Sequence, residues 1–592
     1  MKKRSIILSS VLTGAVLLIN SITPVPATAQ GFLKAEGKQI VNEKGENVLL
    51  RGMGLGGWML QEGYMLGLNE EGQQYRIKER IESLIGKKQT EEFYETWLSN
   101  HTTRADIDSL KAWGFNSVRL PMHYNLYTLA VEEEPVAGKN TWLSKGFALT
   151  DSLLAWCKAN QMYLILDLHA APGGQGNDLN ISDRDPAKPS LWQSDANQKK
   201  TVALWKRLAE RYVNEPWIGG YDIINEPNWG FQNPEKDKNG TGEQKNEPLR
   251  KLMVDITKAI RDVDKKHIII IEGNGWGNNY NGILPQWDNN MVLSFHKYWN
   301  FNDQKSIQQI INFRDKYNIP AWLGETGENS NVWFTEAISL LEKNNIGWSW
   351  WPLKKLGFNN PLQIRTNPNY EQVLKYWNGN GNKPGESNAY SGLLELARYT
   401  NISTNILHKD VVDAMIRQPF TSETRPYISH VLNGSLKINA ANYDLGKSGH
   451  AYADKDTANY HISTGKRSSG NKGGAYRNDG VDIRKSFEGY ENYFITDIED
   501  AEWLQYSINV TNAGKYHIKL KVASDKDDAK VSVLNGSNIL AKEVSIPKTG
   551  GAEKWDLVEI KNISLNKGKN QLRIAADRGG FNLSAIEINK AN

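Results

Sequence analysis

Two glutamates in this chain stand where chemistry can be done, because each closes a short apolar run. Glu226 ends "GGYDIINEP" and Glu325 lies near the end of "PAWLGETG". A pair of carboxyl groups can divide the work of splitting a glycosidic bond: one attacks the sugar as nucleophile, and the other gives and then takes a proton. The two-step, retaining form of that reaction needs the pair ~5–5.5 Å apart. Residue type alone does not single out Glu226. The triplet Asn-Glu-Pro occurs at 214–216, 225–227 and 246–248, and what separates the copies is the element that carries each.

Between residues 47 and 355 short apolar runs recur: "NVLLRGMGLGG", "NSVRLPM", "YLILDLH", "GGYDIINEP", "HIIIIEG", "MVLSFHKYW", "PAWLGETG" and "IGWSWWPLK". Nearly continuous apolar strands belong to parallel sheets buried on both faces. The stretches between them, such as "RADIDSLKAWG", "TVALWKRLAERYV" and "RKLMVDITKAIRDVD", repeat apolar residues at helical spacing. Eight such strands alternating with helices predict an α/β fold, a (β/α)8 TIM barrel over residues 30–420. A hairpin in "GFLKAEGKQIVNEKGENV" would seal its bottom, and "SGLLELARYT" and "HKDVVDAMIRQPF" would supply its last helices. Catalytic side chains of such barrels sit at the C-terminal strand ends. The first triplet follows a helix and precedes a strand, so it belongs to the bottom face, a strand length of ~17–20 Å away. The third opens a helix, with Asn246 as N-cap and Glu247 and Pro248 in the first helical positions. Only Asn225-Glu226-Pro227 tops a strand, and Glu325 tops another across the barrel.

Other strand ends bring Arg119, His169, His296, Tyr298 and Trp351. An arginine and a tyrosine beside Glu325 would hold it ionised. Its charge would then raise the pKa of Glu226 and keep that group protonated as an acid, the two titrating as a coupled pair. The set Arg119 in "NSVRLP", His169 in "LDLHAAPGGQ", Asn225-Glu226 in "DIINEP", His296 and Tyr298 in "SFHKYW", Glu325 in "WLGETG" and Trp351 in "GWSWWPLK" resembles the family 5 glycoside hydrolases. The resemblance runs over about residues 31–420, in the family's order. It implies that Glu226 is the acid/base, Glu325 the nucleophile and Asn225 the holder of the 2-hydroxyl. It further implies that His296 and Tyr298 flank the pair, Trp351 floors the subsite at the scissile bond, and Arg119 and His169 orient and balance charge. Glu272 and Glu328 are rival carboxylates that family position leaves aside. Trp58, Trp192, Trp229, Trp276, Trp299 and Trp333 fall in loops of the same face, either as sugar platforms or as loop packing.

After residue 420 the texture changes to alternating strands with Asn-Gly and Ala-Gly turns, which predicts an all-β, jelly-roll-like sandwich over 436–592 behind a linker at 421–435. "GGAYRNDGVDI", "DAEWLQYSINVTNAGKYHIKLKVAS", "PKTGGAEKWDLVEI" and "GGFNLSAIEI" are similar to carbohydrate-binding module family 6. That likeness implies a sugar cleft with Trp555 and Asn582 in matching positions. The loop before "EWLQY", which often carries the partner aromatic, reads "FITDIED", and only Tyr493 and Tyr490 stand upstream of it. The family's glutamate-rich opening, which serves a structural calcium, is replaced by "INAANY". Having its own core, the sandwich is expected to be separable, leaving a barrel that ends near residue 430 active on soluble oligosaccharides.

The whole chain has 592 residues with 71 basic and 67 acidic side chains, a formal +4, which gives no electrostatic case for nucleic acid or a membrane surface. Its 20 Trp and 24 Tyr exceed what cores require and suit stacking on sugar rings. Residues 1–29 read as a secretory leader: Lys2, Lys3 and Arg4 precede an apolar stretch and Ala27-Thr28-Ala29 offers a cleavage site. The expected location is therefore secreted or periplasmic. The single cysteine, Cys157, reads as a small buried hydrophobe. The expectation is a monomeric hydrolase of β-glucan acting on poly- or oligosaccharide, without metal or cofactor. Cellulase-type β-1,4 activity is placed slightly ahead of an exo-β-1,3-glucanase-like one or another β-glycan hydrolase. A non-catalytic polysaccharide-binding protein is the reading from another class, disfavoured because both carboxylates and every helper are present.

Overall fold

The eight apolar runs become the strands of one closed parallel barrel in the computed structural model, which describes residues 31–468, 470–486 and 493–591. The leader read in the first 29 residues lies outside the described residues. The strands are β1 (Arg51–Gly54), β2 (Ser117–His123), β3 (Tyr163–Ala170), β4 (Ile218–Asp222), β5 (Ile269–Glu272), β6 (Met291–Lys297), β7 (Ala321–Gly327) and β8 (Gly347–Trp351). Every residue of β2 to β8 is buried, which is why these runs lack polar alternation: helices cover the outside and side chains fill the inside. Register sets which tips meet. Glu325 pairs with His296 across β7 and β6, Asp167 with Asp222 across β3 and β4, and Gly54 with Arg119 across β1 and β2. A hairpin (Lys34–Glu36 with Gln39–Val41) closes the opposite end, where the Ala35 N–H donates to Asn290 Oδ1, 2.8 Å away, just before β6.

Five helices matter below: α1 (Gln74–His101), α2 (Glu247–Arg261), α3 (Asn331–Lys343), α4 (Glu386–Tyr399) and α5 (Lys409–Ile416). Helix α1 is broken by Gly86, whose φ of 75° no helical residue adopts, and packs with α4 around Ile81, Phe93, Trp97 and Leu393. No helix among the described residues is long and apolar enough to cross a membrane. Cys157 is buried and free, as expected of a small hydrophobe.

The C-terminal region is an all-β sandwich of two mostly antiparallel sheets. Strands such as Gly514–Ser524 and Gly568–Arg578 alternate buried and half-exposed residues, so one face of each sheet supplies the core around Tyr506, Leu520 and Ile586. The stretch expected as a linker is not free chain. His430–Leu432 pairs in parallel with Ile508–Val510, so the sandwich sheet begins at His430 rather than at 436. Nor is the sandwich loosely attached. Asn331 at the start of α3 and Asp410 in α5 join Asn478 and Asp479 of the sandwich in a buried network: the Asn331 Nδ2 donates to Asp410 Oδ2 at 2.8 Å and Asp479 Oδ1 at 3.0 Å, and the Asn478 N–H donates to Asp410 Oδ2 at 2.8 Å. A point change that deletes one partner inside this buried network leaves the others unsatisfied, at ~1–3 kcal/mol each. A barrel ending near residue 430 would give up the bonds to Asn478 and Asp479, so its expected activity on soluble oligosaccharides has to survive their loss.

Candidate active site

The glycines of "LRGMGLGG" make room for an aromatic floor. A Cβ on Gly54 or Gly56 would lie 2.6 Å from the Trp351 ring, so only glycine lets β1 pass beneath that indole. Trp351 stacks on His169 (centroids 5.0 Å apart, 9° between planes), and its Nε1–H donates to the Tyr64 hydroxyl at 3.0 Å. His169 in turn is fixed from two sides, with Nδ1 2.8 Å from Asp167 Oδ2 and Nε2 3.3 Å from Asn225 Nδ2. Burial pushes its pKa down to about 3, so the ring is neutral: Nδ1–H donates to Asp167 and Nε2 accepts from Asn225. The other oxygen-bearing end of Asn225 accepts from Arg119 Nη2 at 2.7 Å.

Glu226 follows at φ 42°, a left-handed conformation that a glutamate adopts only when held. The hold is its own N–H, which donates to Glu272 Oε2 at 2.7 Å. Its carboxyl reaches His296 Nδ1 at 2.6 Å. Glu325 accepts from Arg119 Nη1 through Oε2 and from the Tyr298 hydroxyl through Oε1, each at 2.8 Å. Single ligand-type atoms of Glu226, His296 and Glu325 all lie within 4.8 Å of one another. The sequence-predicted residues Arg119, His169, Asn225, Glu226, His296, Tyr298, Glu325 and Trp351 are thus gathered at one mouth.

The electrostatics separate the two carboxyls. Burial pushes Glu226 up to about 7; His296 pulls it back by hydrogen bond and charge, and the negative charges of Glu325 and Glu272 push it up again. The cause expected from the sequence, the charge of Glu325, is present but ranks below burial. His296 is held well above the usual imidazole range: burial opposes its charge, but Glu272 and Glu226 outweigh it. Burial, then Glu325, keeps the Tyr298 proton on its oxygen, so that hydroxyl is a donor. Beneath lies Arg119, wholly buried, with Asp167 (3.2 Å), Asp222 (2.9 Å) and Glu272 (3.2 Å) around it as well as Glu325. Spacing within 4.8 Å would also suit a metal ion; in this structure Arg119 and Tyr298 already donate to Glu325, and His296 lies against Glu226.

Comparison with known proteins matches residues 72–357 to the family described as "Cellulase (glycosyl hydrolase family 5)" and residues 475–590 to "Carbohydrate binding module (family 6)". The barrel is a glycosyl hydrolase family 5 domain, and the sandwich is a family 6 module. Over 381 residues the chain is 25% identical to a beta-xylosidase of Phanerodontia chrysosporium, covering 58% of this chain and 75% of that protein. It is 25% identical over 331 residues to endoglucanase C of Acetivibrio thermocellus (45% and 88% covered). It is 28% identical over 322 residues to a glucan 1,3-beta-glucosidase of Candida oleophila (50% and 67% covered).

In this family 5 domain the rival carboxylates have other work. Glu272 pins the Glu226 amide and lies 3.3 Å from His296 Nε2; Glu328 pairs with Lys355 at 3.1 Å. The loop tryptophans also sort. Trp58 and Trp333 are buried packing residues, donating to Leu98 O and Asn300 O; Trp333 was expected in a loop but lies in the first turn of α3. Trp192, Trp229, Trp276 and Trp299 keep part of their surface open. The sequence reading overlooked Asp167 and Asp222, although a carboxylate inside "YLILDLH" or "GGYDII" is a signal, since a buried charge needs a partner. It also overlooked Glu62. This buried carboxyl, on the loop after β1, is raised well above the usual range by burial and then by Glu325, Glu328, Glu226 and Asp178, which puts it at the same mouth.

The family 6 module brings only part of its expected set together. Asn582 is buried beside the Trp555 loop, its Nδ2 donating to Ala552 O at 2.7 Å. Among the described residues the aromatic next to Trp555 is Phe494, edge-on at 5.3 Å, and Tyr490 lies outside the described residues. Tyr493 is not its partner: neighbouring residues on a strand point to opposite faces, and Tyr493 stacks on Tyr476 at 4.5 Å. The opening "INAANY" commits Asn439 to the Ala441 N–H and Tyr493 O, and Asn442 to the Tyr476 hydroxyl.

Proposed function

We propose that this protein is an exported, retaining β-glucan hydrolase. Glu325 attacks the anomeric carbon while Glu226 gives its proton to the leaving oxygen, forming a glycosyl ester on Glu325. Glu226, now a carboxylate, takes a proton from water as that water attacks, and the sugar leaves with its β configuration restored. The observation that carries the reading is that single ligand atoms of Glu226, His296 and Glu325 lie within 4.8 Å of one another, a closeness that favours the ~5–5.5 Å carboxyl spacing of retaining pairs over the ~6.5–9.5 Å of inverting ones. The division of roles rests on the environments: two donors meet Glu325, whereas burial pushes Glu226 up to about 7, so that it carries its proton below that pH. Asn225, held by Arg119 and His169, offers its amide to the 2-hydroxyl, and Trp351 floors the subsite. Neither step calls for a cofactor. Trp555 and Asn582 are the module's part in holding polysaccharide.

For substrate we favour β-1,4-glucan, supported by the endoglucanase relative. An exo-β-1,3 action is kept as a second reading because the Candida oleophila relative is as similar. Product profiles on cello- and laminari-oligosaccharides decide between them. Proton NMR tests the mechanism: β-product is expected first, and α-product first overturns it.

A further inference from the structure

We infer that the sandwich is a positioning part of the catalytic centre, acting through the two barrel loops that carry Tyr298 and follow Glu325; this rests on Glu325 being the nucleophile. Two non-glycine residues beside the reacting groups are left-handed. Trp299, next to Tyr298, has φ 51°, and Glu328, three residues past Glu325, has φ 54°. They lock to one another, Trp299 Nε1–H donating to Glu328 O at 3.0 Å. Such conformations persist only where the surroundings over-determine them, and here the surroundings are the module.

On the Tyr298 side, the Ile462 N–H donates to Trp299 O at 3.1 Å and the Phe301 N–H donates to Ser463 Oγ at 2.9 Å. The His461 ring packs on Trp299 with centroids 5.1 Å apart, and Tyr298 lies 5.1 Å from the same indole. A continuous run of rings therefore leads from the hydroxyl that meets Glu325 into the module. On the Glu325 side, Asn329 exchanges two hydrogen bonds with the Asn459 main chain (2.7 and 3.0 Å), and Ser330 Oγ donates to Thr457 O. Asn478 completes the clamp, its Nδ2 donating to Asn329 O at 2.8 Å and its carbonyl accepting from the Asn331 N–H at 2.8 Å. None of these contacts uses Trp555 or Asn582. The clamp is built into segment 457–463 and Asn478, and a soluble substrate needs it as much as a polysaccharide does.

The test uses the full chain on 2,4-dinitrophenyl β-cellobioside, with laminari-oligosaccharides in parallel. Displacing a reacting group by about 1 Å can cost ~10²-fold in rate, so Asn478→Ala and the double variant His461→Ala/Ser463→Ala should lower kcat by ~10-fold or more. KM should change less than twofold and the melting temperature by only a few degrees. His461→Ala/Ser463→Thr, which keeps the acceptor for Phe301, should recover part of the double variant's loss. Ile539→Ala, on an exposed strand of the sandwich, should behave as wild type. Should Asn478→Ala not fold, the double variant at partly exposed and exposed positions decides. Folded clamp variants with kcat within twofold of wild type overturn the inference. Glu325→Gln separates the two ideas: if it stays active the nucleophile reading fails, whereas a dead Glu325→Gln beside fully active clamp variants sinks the clamp alone.

Discussion

The barrel mouth and the module's sugar cleft were both expected to gather named residues, and the barrel did so where the module did not. At the barrel mouth each residue lies in a barrel strand or follows one by no more than four residues, so the register of a closed sheet decides where it points. Arg119, Asn225, His296 and Glu325 meet because β2, β4, β6 and β7 end side by side or face to face. In the module, one step along Tyr493–Ile495 separates a ring facing Tyr476 from one facing Trp555. A slip of one residue moves a side chain to the other face of a sheet. Barrel tips tolerate a reading from residue type and order; a loop-edge cleft demands the register as well.

The sharpest way to break this contrast is to remove the carboxyls. Glu226→Gln should lower kcat by ~10²–10⁴-fold on substrates with poor leaving groups, the usual worth of a general acid, and Glu325→Gln by more. On 2,4-dinitrophenyl glycosides the first step of the Glu226 variants should be largely spared while deglycosylation slows. Added azide should rescue Glu226→Ala, since a small anion needs no general base. Pre-steady-state bursts measure this, and a Glu226→Ala enzyme indifferent to azide would move the acid/base role elsewhere.

A second effect concerns pH. Because the acid must be protonated and burial holds Glu226 at about 7, kcat/KM should be full below that value and fall as pH rises through about 7. His296 lowers the Glu226 pKa, so His296→Gln, which keeps a hydrogen-bonding group without the charge, should carry the basic limb to higher pH even as the rate drops. A limb that moves down, or stays, removes His296 from the acid's environment.

Much of the barrel mouth was legible because the eight runs are uniformly apolar and their last residues are not. What escaped is instructive. Asp167 and Asp222 were visible as charges inside apolar strands, but only the register shows that both lie under Arg119. Glu62 stands in a glycine-rich loop whose path no periodicity encodes. The seating of the sandwich was invisible for a different reason. Its contacts run between Asn, Ser and Asp side chains and main chain, in stretches that read as ordinary loops.

A smaller effect tests the module side. Trp555→Ala should weaken binding of insoluble β-glucan by ~2–10-fold, the scale of one aromatic face. Tyr493→Ala should leave that binding intact while lowering stability, because its ring packs on Tyr476. Depletion assays on the two variants check the assignment, and equal loss in both would restore Tyr493 to the cleft.

The smallest effects belong to the two other copies of Asn-Glu-Pro, and they show that the triplet is three different things. Glu215 makes one ion pair with Lys158 at 3.3 Å on a side chain one-third exposed, while it is the main-chain oxygen that accepts from His267 Nε2 at 3.0 Å. Glu215→Gln keeps the main chain, so kcat should stay within twofold, and such a surface pair is worth only ~0–1 kcal/mol. Glu247 is exposed at the start of α2, and Glu247→Gln should move stability by ~0.5 kcal/mol or less. Its neighbour differs from what the sequence suggests. Asn246 occupies the N-cap position without capping by its side chain; buried, it accepts from Asn274 Nδ2 at 2.7 Å and donates to Asn281 O at 2.9 Å. Asn246→Ala should therefore destabilise by ~1–3 kcal/mol, more than either glutamate change, with turnover of the folded enzyme unaltered. Chemical denaturation and kcat measured on the same three preparations separate these outcomes. Loss of turnover in Glu215→Gln or Glu247→Gln on the scale of Glu226→Gln would mean that position at a strand tip is not what makes the middle copy catalytic.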